Sequence, residues 1–473
     1  MLPDDPVSDW LEKQHRQRPD AVAWTFPDGN ALTWQALAER VDALARRLAT
    51  NARSDTPIAL IMADRGALAF HVLATLRAGL TALPLHPLPA SRLAQLLAGS
   101  GCIQAIADPD VTLPPGIARI PLTTGVPARR TETVHPTLLL ATSGSSGKPH
   151  FARHGPRTLA ASARATAAAL ELQTSDRWLA CLPMDHAGGL MIPVRVLATG
   201  ARVHFLNRFD PCRALHLMRQ EGITHVSLVP AMLHALLAAD DGPAPASLQA
   251  VLIGGGPLSK SLADAAQARG WPLHVTWGMT ETASHVTLAK VDGNWQPGCV
   301  GRPLPGVHLD IEPAGADDVV GRVKVTGPMV MHGYLGEQEL ATDAINRTLI
   351  TSDLGRLDEA GRLMLHGRTD TVLNTGGHLV DPERLEAELL ACPGIVAAGV
   401  TAVEDPVWGE RLVLFHEGDI GAGVIEDWCR AHLPSWERPR SIRRIAALPR
   451  TRTGKLDRAR LRELAAGIHD AWL

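Results

Sequence analysis

The chain has 473 residues, 20% of them charged, and its 46 Lys and Arg against 49 Asp and Glu leave a net charge of −3. So even a balance gives no reason to expect a nucleic-acid partner, no apolar run has the length and purity of a membrane span, and the 20 histidines show no compact metal spacing. The length allows two or three folding units with large cores; six scattered cysteines without a CxxC pair point to buried or idle thiols in a reducing, cytoplasmic setting.

The N-terminal MLPDDPVSDW lacks the basic and apolar parts of a signal peptide. From Ala21 to about Pro313, helical and strand patterns alternate. Leu37, Val41, Leu44 and Leu48 recur at helical spacing, Thr56–Met62 reads as a short buried strand, Ala67–Ala78 as an apolar helix and Gly79–Leu85 as a turn and strand. The apolar run Leu138–Ala141 is a strand, and the alanine-rich Leu159–Ala169 a helix straight after the loop that follows it. Leu179–Leu182 is a strand, Arg195–Ala198 helical and Arg202–Leu206 a strand. This alternation argues for parallel α/β sheets. The polar, Gly/Asp-rich region Ala314–Leu365 reads as short antiparallel strands. A composition break at Gly367–Thr371 opens a last unit with helices near Pro382–Ala391 and Val424–His432 and strands near Val396–Val403 and Arg411–Phe415.

The most informative stretch is LLLATSGSSGKP, Leu138–Pro149. Gly144 and Gly147 let the backbone bend so that N–H groups converge on an anion. Thr142, Ser143, Ser145 and Ser146 add hydroxyl donors and Lys148 a mobile positive charge, a composition suited to a polyphosphate. The common nucleotide P-loop has four residues between its glycines and Ser or Thr after its lysine; here two residues separate the glycines and Pro149 follows Lys148. The competing reading, a flexible Gly/Ser linker, is weakened by the apolar strand in front of it.

TSGSSGKP resembles the phosphate-loop signature of the acyl-adenylate-forming enzymes: acyl-CoA synthetases, carrier-protein-loading adenylation domains and luciferases. Later stretches follow in that family's order: LPMDHAGG (Leu182–Gly189), GGGPLS (Gly254–Ser259), WGMTETAS (Trp277–Ser284), GPMVMHGY (Gly327–Tyr334), Thr351–Asp370, NTGGHLVDPERLE (Asn374–Glu386) and LPRTRTGKLDR (Leu448–Arg458). The resemblance covers essentially the whole chain. It implies an α/β fold: a large N-terminal domain, 1–369, of parallel-rich sheets with helices and a small β-barrel-like region that binds ATP and the acid, then a small mobile α+β C-terminal domain, 370–473.

The resemblance further implies ATP-dependent activation of a carboxylic acid to an acyl-adenylate, then thioester formation. Joining two anions calls for electrostatic neutralisation and alignment. Thr142–Lys148 would hold the β- and γ-phosphates, Thr280 and Glu281 would meet the α-phosphate, and Glu281 with Thr142 would hold Mg²⁺, a hard ion that takes oxygen ligands. Gly255, Gly256 and Pro257 would admit the adenine, with Trp277 stacking where relatives more often have Tyr or Phe. Asp353 would accept both ribose hydroxyls and Arg368 would reach the ribose. Lys455 matches the adenylation lysine, Asp370 the hinge, and Gly376 and Gly377 the glycines facing a pantetheine arm. His186 matches a position that gates the acid. Taken singly, each residue has a plainer reading: a solvated acid, a core aromatic, a turn Asp, a surface lysine, a hairpin, a satisfied core histidine. One departure stands out: His150 occupies a position usually held by lysine, with Arg153 and Arg157 close by in sequence.

The acyl pocket implied by the match is His186, Ala187, Gly188, Gly189, Gly254, Met279 and Ser284, whose small members leave room for an aryl ring. LPMDHAGGLMIPVRVLATGARVHF and WGMTETASHVT look closest to the o-succinylbenzoate–CoA ligases. Hydroxybenzoate-type acids and fatty acids are the alternative, as is loading of a separate acyl carrier protein through its phosphopantetheine instead of CoA, since no carrier domain follows Lys455. A more remote alternative is a catalytically degenerate AMP-binding regulatory protein; the presence of Thr142, Lys148, Thr280, Glu281, Asp353, Arg368 and Lys455 speaks for the ligase.

Overall fold

The computed structural model describes residues 6–121, 137–143, 149–313, 319–340, 342–343, 346–375, 378–405, 409–450 and 456–469. Three sheets organise them. The first has six strands in the order Ala118–Arg119, Gln104–Ala107, Ile58–Ile61, Thr81–Leu85, Thr137–Ser143, Pro149–His154. All its pairings are parallel except the last. Its central strands are continuous apolar runs because helices cover both faces of a parallel sheet.

The second sheet has 14 strands. Its parallel part runs Leu273–Met279, Ala250–Ile253, His225–Leu228, Arg177–Ala180, Arg202–Phe205, Val22–Thr25. The helices Trp34–Asn51, Arg65–Arg77 and Ala187–Thr199 lie between the two sheets. One buried cluster holds Leu37, Val41 and Leu48 with Ile58, Leu60, Leu138 and Leu140 of the first sheet and Trp24, Trp178 and Phe205 of the second.

The Gly/Asp-rich region forms antiparallel strands, as expected. With the strands before it, it continues the second sheet as an antiparallel flank: Ser284–Lys290, Cys299–Pro303, Leu363–Arg368, Asn346–Leu357, Gly321–Gly327, His308–Pro313. The pairings run open-ended from His308–Pro313 to Ala31–Thr33, so among the described residues this is a sheet extension rather than a closed barrel-like unit. The helix expected at Leu159–Ala169 is present and begins three residues earlier, but it does not follow directly on the phosphate-loop stretch. Strand Pro149–His154 intervenes, and the helix is Pro156–Ala169, with Pro156 at its first turn, where a missing N–H costs nothing.

The third sheet, of five strands, comes from residues 373–444. Helix Pro382–Leu389 packs Leu385 and Leu389 against Val400, Leu412 and Leu414 of this sheet. Among the described residues no helix is long and apolar enough to cross a membrane.

Candidate active site

Strand Thr137–Ser143 leads to the stretch expected to bind phosphates, and Ser143 is paired with Pro149 on its far side. Thr142 lies opposite His150, and its hydroxyl donates to the His150 carbonyl at 3.4 Å. Gly144, Ser145, Ser146, Gly147 and Lys148 lie outside the described residues, as do Gly376, Gly377 and Lys455. Strand alternation puts Arg153 on the face opposite His150; its guanidinium approaches Glu339 at 4.0 Å.

Thr280 and Glu281 sit in a single 3₁₀ turn, Thr280–Thr282, after strand Leu273–Met279. The turn is tightly determined. Ala283 and Ser284 have φ of 49° and 96°, a region non-glycine residues occupy only when their surroundings hold them there. A Cβ on Gly278 would lie 2.0 Å from the Ser284 carbonyl oxygen, so only glycine fits. From below, the imidazole of His154 donates through Nε2 to the Thr280 carbonyl at 2.8 Å. That ring is wholly buried, and burial lowers its pKa to about 4, which keeps it neutral. From the side, Met331 N–H donates to the Glu281 carbonyl at 2.8 Å, and the Tyr334 hydroxyl donates to Glu281 Oε1 at 2.6 Å. Burial, followed by the Glu281 charge, raises the phenol pKa well above its usual value.

The nucleotide-side residues gather on neighbouring strands. Gly254 follows Ala250–Ile253, and a Cβ there would lie 2.8 Å from Thr276 Oγ1; Gly255 has φ +76°, and Gly256 has room as far as Pro230. Trp277 is buried, and its side chain acts on the Asp353 carboxyl, lowering its pKa. Asp353 and Arg368 are register partners on adjacent strands, 3.4 Å apart at Oδ2 and Nη1. Arg368 also makes a two-point contact with Asp370, both distances 2.9 Å. Burial raises the Asp353 pKa, and Arg368 and Trp277 partly offset that.

The candidate acyl pocket is built on one helix start and one strand end. His186 is the N-cap of helix Ala187–Thr199, so Ala187, Gly188 and Gly189 form its first turn. Their small size has two different causes. A Cβ on Gly189 would lie 2.1 Å from the Pro183 carbonyl oxygen, whereas one on Gly188 would meet only Leu182 Cδ1 at 3.5 Å. Met279 and Ser284 flank the 3₁₀ turn.

Sequence reasoning missed Arg195. It lies on the same helix and is wholly buried. None of its three side-chain nitrogens has a hydrogen-bond partner among the described residues. Its guanidinium sits over the Trp178 ring at 5.5 Å, and burial lowers its pKa to about 9. Its charge also reaches half-buried His285, held well below the usual imidazole pKa, first by desolvation and then by Arg195; His285 is the register partner of Gly278. The signal was present as the single charge in the apolar run LMIPVRVLAT.

In the C-terminal unit, Arg450 and Leu456 form an antiparallel bridge and Asp457 N–H donates to Pro449 O at 2.9 Å, closing the base of the segment that carries Lys455. Arg458 ties that base to buried Glu386 through Nη2 at 2.8 Å and to the Val400 carbonyl at 3.0 Å.

Two α/β sheets, an Asp353–Arg368 pair on adjacent strands and a helix start capped by His186 carry the residues expected of a nucleotide-dependent, acid-activating enzyme. Residues 11–335 match the AMP-binding enzyme family and residues 384–455 the AMP-binding enzyme C-terminal domain; the chain belongs to this family. It is 31% identical over 482 residues, 97% of each chain, to the 2-succinylbenzoate–CoA ligase of Geobacillus sp. (strain WCH70). It is 34% identical over 339 residues, 69% of each, to the ligase of the same name from Bacillus mycoides (strain KBAB4). Among solved structures it resembles the Bacillus subtilis o-succinylbenzoate CoA synthetase with its acyl-adenylate intermediate (TM-score 0.83, 26% identity, 96% of this chain and 97% of that one). The same enzyme with ATP and magnesium ion gives a TM-score of 0.85 at 26% identity, covering 96% and 99%. The chain is an AMP-forming acid–thiol ligase of the acyl-CoA synthetase type.

Proposed function

We propose that the acid is an aryl acid carrying a second carboxylate, o-succinylbenzoate, activated with ATP and transferred to CoA. The observation that carries this reading is Arg195. A buried guanidinium without hydrogen-bond partners is costly unless an anion meets it, and an acid with one carboxylate reacting near His186 and a second near Arg195 supplies that anion. The names of the two similar ligases point the same way.

In this reading Thr142–Lys148 bind the β- and γ-phosphates, Trp277 with Gly255, Gly256 and Pro257 holds adenine, and Asp353 with Arg368 holds the ribose. A hydroxyl-rich strand end beside a carboxylate fits a hard divalent cation: Mg²⁺ would be held by Glu281 and Thr142 and would neutralise phosphate charge. Thr280 and His186 orient the acid. The C-terminal unit, from residue 370, turns about Asp370: one pose brings Lys455 to the α-phosphate, the other brings Gly376 and Gly377 to the pantetheine. A carrier protein presents the same thiol as CoA and is the alternative acceptor. Free thiols, five buried and Cys212 exposed, accord with a reducing compartment, read here as the cytoplasm.

The test is pyrophosphate release over a panel of benzoates, succinylbenzoate and fatty acids, followed by CoA against a carrier protein. Arg195→Met should lower kcat/KM for succinylbenzoate about ten- to a hundredfold, the range for a lost hydrogen bond to a charged group, and leave benzoate unchanged. Equal losses on both acids would remove the second-carboxylate role.

A further inference from the structure

The chain contains one tyrosine, Tyr334, and the reaction as assigned above makes no use of it. Its surroundings are specific. The hydroxyl donates to Glu281 Oε1 at 2.6 Å, across 53 positions of sequence. Its backbone forms an antiparallel bridge with Ala152, and the flanking residues extend the contact: Arg153 N–H donates to Gly333 O at 3.0 Å and Leu335 N–H to Phe151 O at 2.9 Å. Its ring meets that of His150 edge-on, with centroids 5.4 Å apart. Tyr334 is therefore clamped to strand Pro149–His154, the strand that leaves the phosphate loop, while its hydroxyl reaches the carboxylate read as the cation ligand.

We propose that Tyr334 is a positioning residue for Glu281, fixing one carboxylate oxygen so that the group is oriented for the divalent cation that accompanies the nucleotide's phosphates. This rests on the reading of Glu281 as a cation ligand. A free glutamate samples several rotamers; one short hydrogen bond from a donor with little freedom of its own removes that cost before the cation arrives. Because the donor is anchored to the exit strand of the phosphate loop, the carboxylate and the loop are held in register. The 3₁₀ turn, pinned by His154 and Met331, fixes the backbone of Glu281 but not its side chain.

The experiment measures Mn²⁺ binding by electron paramagnetic resonance in the presence of α,β-methylene-ATP, which cannot be cleaved to AMP. Loss of a group that orients a metal ligand typically costs ten- to a hundredfold in affinity. Tyr334→Phe should weaken Mn²⁺ by that factor, lower adenylate formation at limiting Mg²⁺ with recovery at high Mg²⁺, and leave thioester formation from supplied acyl-adenylate unchanged. A general structural defect would lower both half-reactions. Unchanged Mn²⁺ affinity in Tyr334→Phe, with the affinity lost in Glu281→Gln, overturns the proposal and leaves the reading of Glu281 intact. Unchanged affinity in Glu281→Gln overturns both. A second measurement needs no substitution: full-length protein grown on 3-fluorotyrosine carries one ¹⁹F signal, from Tyr334. Mn²⁺ with the analogue should broaden it strongly where Mg²⁺ does not. A signal that stays sharp with Mn²⁺ bound places the cation away from Glu281 and overturns the proposal.

Discussion

The side chain of Trp277 acts on the carboxylate of Asp353, 76 positions away in the chain, and works against the rise in its pKa that burial causes. Indole can only donate, so the group that favours the charged carboxylate is its N–H. The position proposed to stack against adenine and the position proposed to accept the ribose hydroxyls are thus coupled within the protein. Tryptophan where relatives more often have Tyr or Phe supplies a donor that Phe lacks.

Trp277→Phe keeps an aromatic face and removes that donor. A hydrogen bond to a charged group contributes on the order of 1.5–3 kcal/mol, so ATP affinity should fall at least about tenfold. The sign with pH follows. Burial raises the Asp353 pKa and Trp277 offsets it; without the indole the carboxyl protonates at higher pH, and the acid limb of ATP binding moves upward. Calorimetric ATP titrations across pH check this. An unchanged affinity and acid limb would show that the indole N–H contributes nothing to nucleotide binding.

Acid should destabilise the fold through its buried histidines. Burial brings the pKa of His154, His204 and His225 to about 4 each, from 6.5. Each folded-state pKa lies below the unfolded one, so the unfolded chain binds more protons between about pH 6.5 and 4. The stability these neutral rings contribute is present above pH 6.5 and is lost as pH falls toward 4, on the order of 3 kcal/mol for fully buried His154. Urea midpoints at pH 7.5, 6 and 5 should fall in that order. His154→Gln, whose amide can still reach the Thr280 carbonyl, should flatten the slope.

Much of this architecture was legible in the sequence, and the reasons differ by element. The strand Thr137–Ser143 and the helix Arg65–Arg77 stood out because their apolar runs are long and uniform. Strand Pro149–His154 was missed because its mix of His, Phe and Arg carries no two-residue alternation; it is a strand because it pairs with its apolar neighbour. The strands of Ala314–Leu365 were read correctly as short and antiparallel, but which sheet they join depends on long-range pairing, such as that of Cys299–Pro303 with Leu363–Arg368. In the site, Glu281, Asp353 and Arg368 were named from their flanking motifs. Arg195, His154 and Tyr334 were not given roles, because a lone polar residue acquires one only from what packing puts beside it.

Lys455 and Asp370 should give opposite signatures in the two half-reactions. Losing one charge-stabilising donor commonly costs a hundred- to a thousandfold, so Lys455→Ala should abolish most acid-dependent pyrophosphate release while thioester formation from supplied acyl-adenylate survives. Asp370→Pro should do the reverse, since proline fixes φ where the chain must pivot. That variant also loses the two-point contact with Arg368, so Asp370→Ala serves as its control: it lacks the contact and keeps the rotation. Half-reactions assayed separately decide the matter. Equal losses in both half-reactions for Lys455→Ala, or normal thioester turnover in Asp370→Pro, would overturn the two-pose assignment.

Gly188 and Gly189 are adjacent, and their substitutions should fail differently. Any side chain at Gly189 drives its Cβ into the Pro183 carbonyl, 2.1 Å away, so Gly189→Ala should lose about 1–3 kcal/mol of stability or more through overpacking, whatever the substrate. Gly188 has ordinary contact distance to Leu182 and nothing closer, so Gly188→Trp should fold and bind ATP normally. If the slot beside His186 receives a flat ring, the indole fills it and aryl acids are excluded. A shaped apolar pocket discriminates by about 1–3 kcal/mol per misplaced methylene, so in the unsubstituted enzyme kcat/KM for benzoates and succinylbenzoate should exceed that for palmitate by a wide margin. The readouts are urea midpoints for both variants and kcat/KM for the acid panel with Gly188→Trp. A stable Gly188→Trp that still turns over succinylbenzoate would move the aryl site away from this helix start, and a clear preference for palmitate would end the aryl reading while leaving the adenylation chemistry in place.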